Sequence, residues 1–333
     1  MKAFIFSSFG SPSVLKMQEV SRPVPGEKEV LVKVMATTVT SADCRLRARN
    51  MPRGFRFLSG LIFGFKKPRK PILGSEMAGV VTETGSKVTR FRKGDAVFGM
   101  DGMNLGCYAE YKLIREDAAI VLKPESLTFE EAASLPFGAL TAINFFRRGK
   151  LKSGEHVLVN GASGSVGTAA VQIAVNSGAV VTAVCSSANR ALVQSLGSDH
   201  VIDYTTEDFT RNGQTYDMIV DTAGTAPYSR SGSSLKPDGR LLLVLASLPD
   251  TLSSYASVLF NKNKLVAGPA TEKHEDLEYL TGLVERELYK PVIDRIYSFE
   301  ELPEAHAYTD SGRKRGNVVI ILSQRTKTDG IKF

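Results

Sequence analysis

The chain has 333 residues, 43% hydrophobic and 23% charged, with a formal net charge of +7. This length suggests about two domains, and the composition excludes a disordered or fibrous protein. Three cysteines lie far apart without a C-x-x-C pair, which argues against a disulfide framework or a zinc knuckle and for a reducing compartment. The start turns polar at Ser7 and no apolar window is long enough to cross a bilayer, so we expect a cytoplasmic protein without a membrane span.

The first 126 residues have the pattern of β structure. Residues 28–36 alternate charged and apolar side chains, as a half-buried strand does. A short polar helix is predicted at 41–50. Further strands are predicted at 71–81, 97–99 and 108–111.

Much of the positive charge lies between residues 45 and 70. Four phenylalanines (Phe55, Phe57, Phe63 and Phe65) are interleaved with nine basic residues: Arg45, Arg47, Arg49, Arg53, Arg56, Lys66, Lys67, Arg69 and Lys70. Such a stretch can serve nucleic acid or an acidic membrane surface. No recognised nucleic-acid module surrounds it, so we favour a solvated loop whose aromatic rings pack on the protein or line an apolar pocket.

From Thr128 onward the pattern changes to alternating helices and strands. Thr128 and Glu131 have the spacing of a capping box, and the helix is predicted to break near 136–138 and to resume through 141–147. A further helix is predicted at 189–196. Buried strands are predicted at 155–160, 180–184, 201–203, 217–221, 240–245 and 264–268. This alternation predicts a parallel, doubly wound sheet.

The first strand of that sheet runs into a glycine-rich turn. Against the G-x-G-x-x-G pattern, alanine occupies the first glycine position. The turn follows a strand and opens a small-residue helix that ends at Gly178, which is the context expected of a dinucleotide-binding turn. Its glycines let the backbone approach a pyrophosphate, and the helix N-terminus offers free N–H groups. The candidate cofactor contacts of this turn are Ala162, Ser163, Gly164, Ser165, Val166 and Gly167.

The last 60 or so residues lose the βα pattern. They are predicted to form helices at 275–287 and 303–308 and strands at 292–299 and 317–322. Because this tail has no βαβ unit of its own, we expect it to rejoin the first domain. The parallel sheet would then be an insertion.

Four blocks together carry a family resemblance. They are residues 71–81 (PILGSEMAGVV), 88–99 (VTRFRKGDAVFG), 109–111 (AEY) and the turn at 162–167. With these blocks the chain resembles the zinc-free quinone oxidoreductase (zeta-crystallin-like) branch of the medium-chain dehydrogenase/reductase superfamily, over nearly its whole length. The resemblance implies an α/β fold in which a Rossmann doubly wound parallel sheet is inserted in a GroES-like β-rich catalytic domain.

The implied domains are a substrate domain in two segments, 1–126 and 269–333, around a nucleotide-binding domain at 127–268. The family also implies a homodimer formed through the edge of the nucleotide-domain sheet. We take the Arg240–Leu245 region as that edge.

Zinc-dependent relatives place Cys at the position of Thr40, His at Ser75, and Cys or Asp near Phe137. A catalytic zinc needs three protein ligands with nitrogen, sulfur or carboxylate donors. Two of these positions carry hydroxyls and the third an apolar ring, and the single carboxylate of Glu76 does not hold a metal. We therefore expect no metal.

Cofactor choice follows from the end of the second strand of the parallel sheet. Proteins that select NAD usually place Asp or Glu there, whereas NADP is met by a cation and small donors. Residues 185–190 read CSSANR, without an acid. The resemblance places the 2′-phosphate contacts on Ser186, Arg190 and Tyr204. Ser187, beside Ser186, is a further candidate cofactor contact. A charge-assisted hydrogen bond contributes about 1.5–3 kcal/mol, roughly ten- to hundredfold in affinity, so NADP(H) is the expected cofactor. An exposed helix-surface charge is the alternative for Arg190.

The resemblance implies further cofactor contacts beyond the carboxyl ends of the strands, where open α/β sheets bind ligands. These are Thr141, Thr222, Leu245, Ala246, Ser247 and Asn317. An ordinary loop or strand-end role for each remains the alternative.

The implied chemistry is hydride transfer from the nicotinamide to a quinone or an α,β-unsaturated carbonyl. Related reductases often place a Tyr in the loop after Asp43, but here that loop carries Arg47, Asn50 and Arg53. We therefore assign no catalytic residue and name only Thr40 and Arg47 as pocket candidates.

Two other hypotheses stay open beside an NADPH-dependent quinone or enone reductase with a small electrophilic substrate. One is a zinc-free carbonyl or alcohol oxidoreductase of unspecified substrate. The other is a non-enzymatic protein that binds nucleic acid or a partner through the basic stretch, although nucleic acid is not the expected partner.

Overall fold

The computed structural model describes residues 1–259 and 265–322, with the side chains of 257–259 left aside. The strands are β1 (Lys2–Phe6), β2 (Leu15–Glu19), β3 (Glu29–Thr38), β4 (Glu76–Thr84), β5 (Ala96–Met100), β6 (Tyr111–Arg115), β7 (Ala119–Leu122), β8 (His156–Asn160), β9 (Val180–Cys185), β10 (His200–Asp203), β11 (Tyr216–Asp221), β12 (Leu235–Leu243), β13 (Leu265–Val266), β14 (Ile293–Ser298) and β15 (Asn317–Ile321). The helices are α1 (Ser41–Ala48), α2 (Arg56–Phe63), α3 (Phe129–Ala133), α4 (Pro136–Gly149), α5 (Ser165–Asn176), α6 (Arg190–Ser195), α7 (Tyr228–Ser231), α8 (Leu248–Leu259), α9 (His274–Glu285) and α10 (Leu302–Asp310).

The mainly antiparallel sheet joins strands from both ends of the chain. Its order is β14-β15-β3-β4-β5-β7, with β6 also paired to β3. β15 pairs antiparallel with β3 and parallel with β14, so the tail is hydrogen-bonded into the sheet of the first 126 residues. Val30, Val32 and Val34 of β3 point their apolar side chains into the core of this sheet.

The second sheet is parallel and has the order β10-β9-β8-β11-β12-β13. Numbered from its own first strand, this order is 3-2-1-4-5-6, the Rossmann arrangement. Strands β8 and β11 are buried over most of their length, and α4 and α5 pack together on the sheet. The predicted fold class is confirmed. The chain order reverses between β8 and β11, which places a ligand crevice at their carboxyl ends.

The capping box predicted at the start of α3 is confirmed. The Thr128 hydroxyl accepts a hydrogen bond from the Glu131 N–H at 3.2 Å, and the Glu131 carboxylate accepts one from the Thr128 N–H at 2.8 Å. The predicted helix break near 136–138 is wrong by a few residues. α3 ends at Ala133, and α4 begins at Pro136, because proline fits the first turn of a helix, where its missing N–H is not needed.

Two predictions about the fifth and sixth strands of the parallel sheet are wrong. β12 begins at Leu235 instead of after residues 237–239, because a bulge absorbs that turn: Tyr216 pairs with Leu235 but Met218 with Arg240. The Arg240–Leu245 region is also not the edge of the sheet, since β12 pairs with β11 on one side and β13 on the other. Within the described residues the edge strands are β10 and, on the side of β12, β13. Lys264 of the predicted sixth strand lies outside the described residues.

Among the described helices, none has the length and hydropathy that crossing a bilayer requires.

Candidate cofactor-binding crevice

A crevice of about 460 Å³ opens where the two sheets meet, at the carboxyl ends of β8, β9, β11 and β12. A larger depression of about 1030 Å³ lies at the amino ends of the same sheet, where open α/β folds do not bind their ligands. Of the predicted cofactor contacts, the crevice is lined by Ser163, Gly164, Ser165, Val166, Ser186, Tyr204, Thr222 and Leu245.

The glycine-rich turn forms the floor of the crevice. Gly161 has a φ of +79°, which a residue with a side chain rarely adopts. A Cβ on Gly167 would lie 2.1 Å from the Gly161 carbonyl oxygen, so this glycine lets helix α5 pack directly on the turn. A Cβ on Gly164 would meet only that same oxygen, at 3.6 Å, and would otherwise occupy the crevice.

Gly164 is also the N-cap of α5. It has no side chain to accept the first N–H groups of the helix, which leaves those donors and the positive end of the helix dipole facing the crevice. This backbone cradle fits a pyrophosphate, because it offers space, donors and positive potential without a competing side chain.

The tail closes one side of the turn. The Gly316 N–H donates to the Ser163 carbonyl at 2.8 Å, and Gly164 and Gly316 form an isolated parallel bridge. The Ser165 hydroxyl donates to Asn317 Oδ1 at 2.6 Å, and the Asn317 amide donates to the Val292 carbonyl at 3.1 Å. Asn317 therefore anchors the tail to α5 and is 7% exposed.

Four cations that the sequence analysis did not place at the site line this crevice: Arg45, Arg313, Lys314 and Arg315. The ammonium of Lys314 donates to the Gly316 carbonyl at 2.6 Å. Burial lowers the pKa of Lys314 to about 8, and the nearby acidic groups of Cys44, Glu76 and Asp294 oppose that shift. The sequence does contain a signal for three of these cations, because they form a continuous run, residues 313–315, immediately before Gly316 and the last strand.

The adenosine side of the crevice carries Ser186 and Tyr204, the latter 63% exposed. Arg190 is exposed at the first position of α6, close enough for its charge to lower the pKa of Cys185 against the larger effect of burial. Asp203 ends the neighbouring strand and accepts hydrogen bonds from the N–H and hydroxyl of Thr205, at 2.9 and 2.7 Å. These bonds hold the pKa of Asp203 below its ordinary value. A carboxylate that the sequence analysis did not consider therefore lies near the adenosine side of the crevice.

Thr222 and its neighbour organise the next loop. The Thr222 hydroxyl donates to the carbonyl of Asn160 at 2.9 Å, which ties the end of β11 to the end of β8. The buried Asp221 carboxylate accepts four backbone N–H groups from residues 223–226 and the Asn160 amide. The loop shape is therefore fixed before any ligand binds.

The remaining predicted contacts do not line the crevice. Thr141 lies one turn into α4, where its hydroxyl donates to the Phe137 carbonyl at 2.7 Å. Ser247 caps α8 through Asp250, and Ala246 is buried. The predicted contacts outside the lining are Thr141, Ala162, Gly167, Ser187, Arg190, Ala246, Ser247 and Asn317.

The two substrate-pocket candidates are also outside the lining. Thr40 is the N-cap of α1, and its hydroxyl donates to Asp43 at 2.5 Å. Arg47 is 1% exposed and forms an ion pair with Asp310 at 2.5 Å. Both side chains are therefore engaged by carboxylates of this chain, Thr40 by Asp43 and Arg47 by Asp310.

At the positions of the zinc ligands in zinc-dependent relatives, the Thr40 hydroxyl and the Phe137 N–H donate to carboxylates of this chain, Asp43 and Glu76. Glu76 is fully buried and accepts hydrogen bonds from the Thr38 hydroxyl and, at 2.6 Å, from the Phe137 N–H. Burial raises the pKa of Glu76 to about 8. Ser75 is buried with no partner for its hydroxyl among the described residues. Within those residues, His, Cys, Asp and Glu form no group able to hold a metal.

Comparison with known proteins supplies the family. Residues 26–125 match the family described as the alcohol dehydrogenase GroES-like domain, and residues 196–320 match the family described as zinc-binding dehydrogenase. Quinone-oxidoreductase QR1 of Triphysaria versicolor is 32% identical over 96% of this chain and 98% of its own length. The 2-methylene-furan-3-one reductase of Solanum lycopersicum is 31% identical over 96% of this chain and 79% of its own length.

A solved structure agrees with the sequence matches. The quinone oxidoreductase from Coxiella burnetii has a TM-score of 0.85 and 30% identity, covering 97% of this chain and 99% of that one. These matches extend over both sheets and the glycine-rich turn between them. The chain therefore belongs to the medium-chain dehydrogenase/reductase superfamily, among its quinone oxidoreductases and enone reductases.

Proposed function

We propose that this oxidoreductase uses NADPH to transfer hydride, without a metal, to a quinone or to the β-carbon of an α,β-unsaturated carbonyl. The observation that carries the proposal is the crevice itself. There the glycine-rich turn, the uncapped start of α5 and the cationic tail converge at the switch point of the sheet. Relatives named quinone oxidoreductase and NADPH-dependent alkenal/one oxidoreductase support the substrate class.

In this proposal the first turn of α5 binds the pyrophosphate, with Lys314 and Arg315 neutralising its charge from the tail. Ser186, Arg190 and Tyr204 bind the 2′-phosphate, so they set the preference for NADPH over NADH. Leu245 and Phe137 form apolar walls, which exclude water from the reacting end of the crevice. When bound, the nicotinamide supplies the hydride, and this chain supplies orientation and electrostatics.

The metal-free part of the proposal rests on the side chains at the zinc positions. A hydroxyl that donates to Asp43, a lone serine and a phenylalanine are not a zinc-binding set. We expect the activity to survive dialysis against a strong chelator. We also expect elemental analysis to find no stoichiometric zinc. Loss of activity that zinc alone restores would contradict it.

Three further assignments belong to this proposal. The domain boundaries are 1–126 with 269–333 for the substrate domain and 127–268 for the nucleotide-binding domain. We propose a homodimer that pairs through the β13 edge, which sedimentation at several protein concentrations measures, and a cytoplasmic location, which fractionation of the source cells measures. Fractionation is informative because some relatives are named chloroplastic or mitochondrial.

The function is tested by following NADPH absorbance with 1,2-naphthoquinone, a panel of small enones, and the matching saturated aldehydes and ketones. We expect turnover with quinones or enones and none with the saturated partners. Turnover of saturated carbonyls alone would favour the carbonyl reductase, and no turnover of any acceptor would favour a binding protein.

A further inference from the structure

Most of the large apolar side chains of helix α2 are exposed to solvent, which is unusual for a helix of a globular protein. The buried residues of the helix are Ser59 and Gly60, two of the smallest in the segment. Apart from Phe63, which packs against the core, the large apolar side chains of the helix face solvent instead. Together with Phe65 they form what we call the apolar patch, with exposed fractions of 64% for Phe57, 41% for Leu58, 47% for Leu61, 50% for Ile62 and 39% for Phe65. A contiguous exposed apolar surface of this kind marks an interaction site.

The apolar patch is held in place by specific packing. A Cβ on Gly60 would lie 2.5 Å from the ring of Phe65, so the glycine admits that ring against the helix. The rings of Phe57 and Phe65 are 5.6 Å apart between centroids. Gly64 ends the helix with a φ of +106°, and its N–H donates to the Gly60 carbonyl at 2.9 Å. The exposed side chains therefore belong to a defined helix and not to an irregular loop.

Cations surround the apolar patch on both sides in sequence. The exposed ones are Arg53, Arg56, Lys66, Lys67 and Arg69. No carboxylate of the described residues lies within ion-pair distance of any of them, and no Asp or Glu occurs between Asp43 and Glu76. The charge of this face is therefore positive and available to an anionic partner.

We propose that the apolar patch and its cations form a docking surface for an anionic lipid bilayer. A helix with exposed Phe and Leu, flanked by Lys and Arg, lies in the plane of a membrane, with its apolar side chains among the acyl chains and its cations at the headgroups. A second copy of the chain fits poorly, because a symmetric contact through this face would bring like charges together. Nucleic acid fits poorly as well, because the aliphatic side chains of Leu61 and Ile62 do not stack on bases as aromatic rings do.

The docking surface lies beside the crevice. The Leu248 N–H donates to the Arg53 carbonyl at 2.8 Å, and a Cβ on Gly54 would lie 2.6 Å from Leu248. Leu248 begins α8, three residues after Leu245 of the crevice lining. A bilayer bound at α2 would therefore adjoin the crevice, so that a lipophilic acceptor reaches it from the lipid phase. That consequence, unlike the docking itself, rests on the proposed function.

The test is co-flotation of the full chain with vesicles of pure phosphatidylcholine and with vesicles that contain about one-third phosphatidylglycerol. We expect flotation with the anionic vesicles only, weakened by high salt because the headgroup contacts are screened. The triple variant Phe57→Ser, Leu61→Ser and Ile62→Ser is expected to lower the bound fraction at least about tenfold, because it removes most of the inserted apolar surface. Its matched control is Val24→Ser, Leu122→Ser and Ile296→Ser, which removes exposed apolar side chains elsewhere and leaves flotation unchanged.

A second pair of variants separates local charge from net charge. Arg56→Gln, Lys66→Gln and Lys67→Gln should reduce flotation strongly, whereas Lys16→Gln, Lys93→Gln and Lys152→Gln, which lower the net charge equally, should not. Equal effects of the two sets, no flotation at all, or retention on RNA without flotation would overturn the proposal. Circular dichroism melts confirm that each variant is folded. The assay contains neither cofactor nor acceptor, so its outcome is independent of the proposed function.

Discussion

At the end of the crevice where we propose that the phosphates bind, called here the phosphate end, the surface is backbone: Gly164 presents helix N–H groups, and Gly316 pairs with Ser163 across the turn. At the opposite end, where zinc-dependent relatives bind their metal, the surface is made of buried side chains, most of them hydrogen-bonded within the chain. Glu76 accepts from Thr38 and from the Phe137 N–H. The first end is open toward a ligand, whereas the second is a buried hydrogen-bonded network in which the Ser75 hydroxyl has no partner among the described residues.

This difference explains what each end can do. Backbone donors around an empty turn stabilise an anion with little rearrangement, so the phosphate end is preorganised for a nucleotide. Side chains that are hydrogen-bonded within the chain instead hold the fold and offer a substrate few free donors. Chemistry at that end therefore depends on the cofactor and on an acceptor that is already electron-poor.

The largest effect is expected from Gly167→Ala. Its Cβ would lie 2.1 Å from the Gly161 carbonyl oxygen and 2.7 Å from the Ala162 carbonyl carbon, and backbone cannot move aside as a side chain can. We expect a loss of about 3 kcal/mol in the free energy of unfolding, measured by denaturant titration. Gly164→Ala is the matched control, because its Cβ meets protein only at 3.6 Å. It should fold like the parent yet bind NADPH weakly, and equal destabilisation of the two variants would contradict this account of the turn.

The next effect tests the buried ion pair between Arg47 and Asp310. The guanidinium of Arg47 is buried, and Asp310 is its ion-pair partner at 2.5 Å, while Nε and Nη1 have no hydrogen-bond partner among the described residues. Asp310→Asn leaves that charge uncompensated and should lower the free energy of unfolding by about 2 kcal/mol, less than for a wholly buried pair because Asp310 is 37% exposed.

Arg47→Met should cost much less than Asp310→Asn, since it removes the buried charge and keeps a side chain of similar length. Thermal unfolding of both variants and of the double variant gives the comparison. If Arg47→Met were the more damaging substitution while cofactor binding also failed, Arg47 would belong to the pocket, as its sequence position suggested.

The difference between the two ends also explains which features could be predicted from the sequence. The phosphate end needs residues without side chains at fixed spacing, so Gly164 and Gly167 are visible in the sequence, as are the buried strands that alternate with helices. The fold class followed from these. The other end is specified by distant pairings such as Arg47 with Asp310, 263 residues apart, and these leave no local pattern.

Two particular errors have the same origin. The Arg240–Leu245 region has the composition of an edge or an interior strand alike, and only the pairing with β13 distinguishes them. The cations of residues 313–315 precede a strand of the other sheet, so their position at the crevice depends on the tertiary contact between Gly316 and Ser163.

A third prediction concerns cofactor choice at the phosphate end. Arg190 is exposed beside the crevice, and its guanidinium is free to approach a 2′-phosphate. We expect the parent to bind NADPH more tightly than NADH, and Arg190→Ala to remove about tenfold to hundredfold of that difference while leaving NADH affinity unchanged. Fluorescence titration with both cofactors measures it, with Arg211→Ala as an exposed control. Equal affinities in the parent would refute the NADPH assignment, and the nearby Asp203 carboxylate would then be the reason to examine.

The smallest effect is a pH dependence carried by Lys314. Its pKa in the folded chain is about 8, against 10.5 for an ordinary lysine, so it loses its charge as the pH rises through 8. NADPH affinity should therefore fall about fivefold between pH 7 and pH 9, corresponding to about 1 kcal/mol. Stability should change in the opposite direction. Between about pH 8 and 10.5 the unfolded chain binds the extra proton, so the free energy of unfolding rises with pH in that range.

Variants show which titrating group causes the pH dependence of NADPH affinity. Lys314→Arg keeps its charge and should flatten the affinity profile at its high value, whereas Lys314→Gln should flatten it at the low value. Glu76 also has a pKa of about 8 and lies near enough to influence Lys314, so Glu76→Gln is the necessary companion. If the profile disappeared in Glu76→Gln but persisted in Lys314→Gln, the titrating group would be the buried carboxyl of Glu76, and Lys314 would have no part in holding the phosphates.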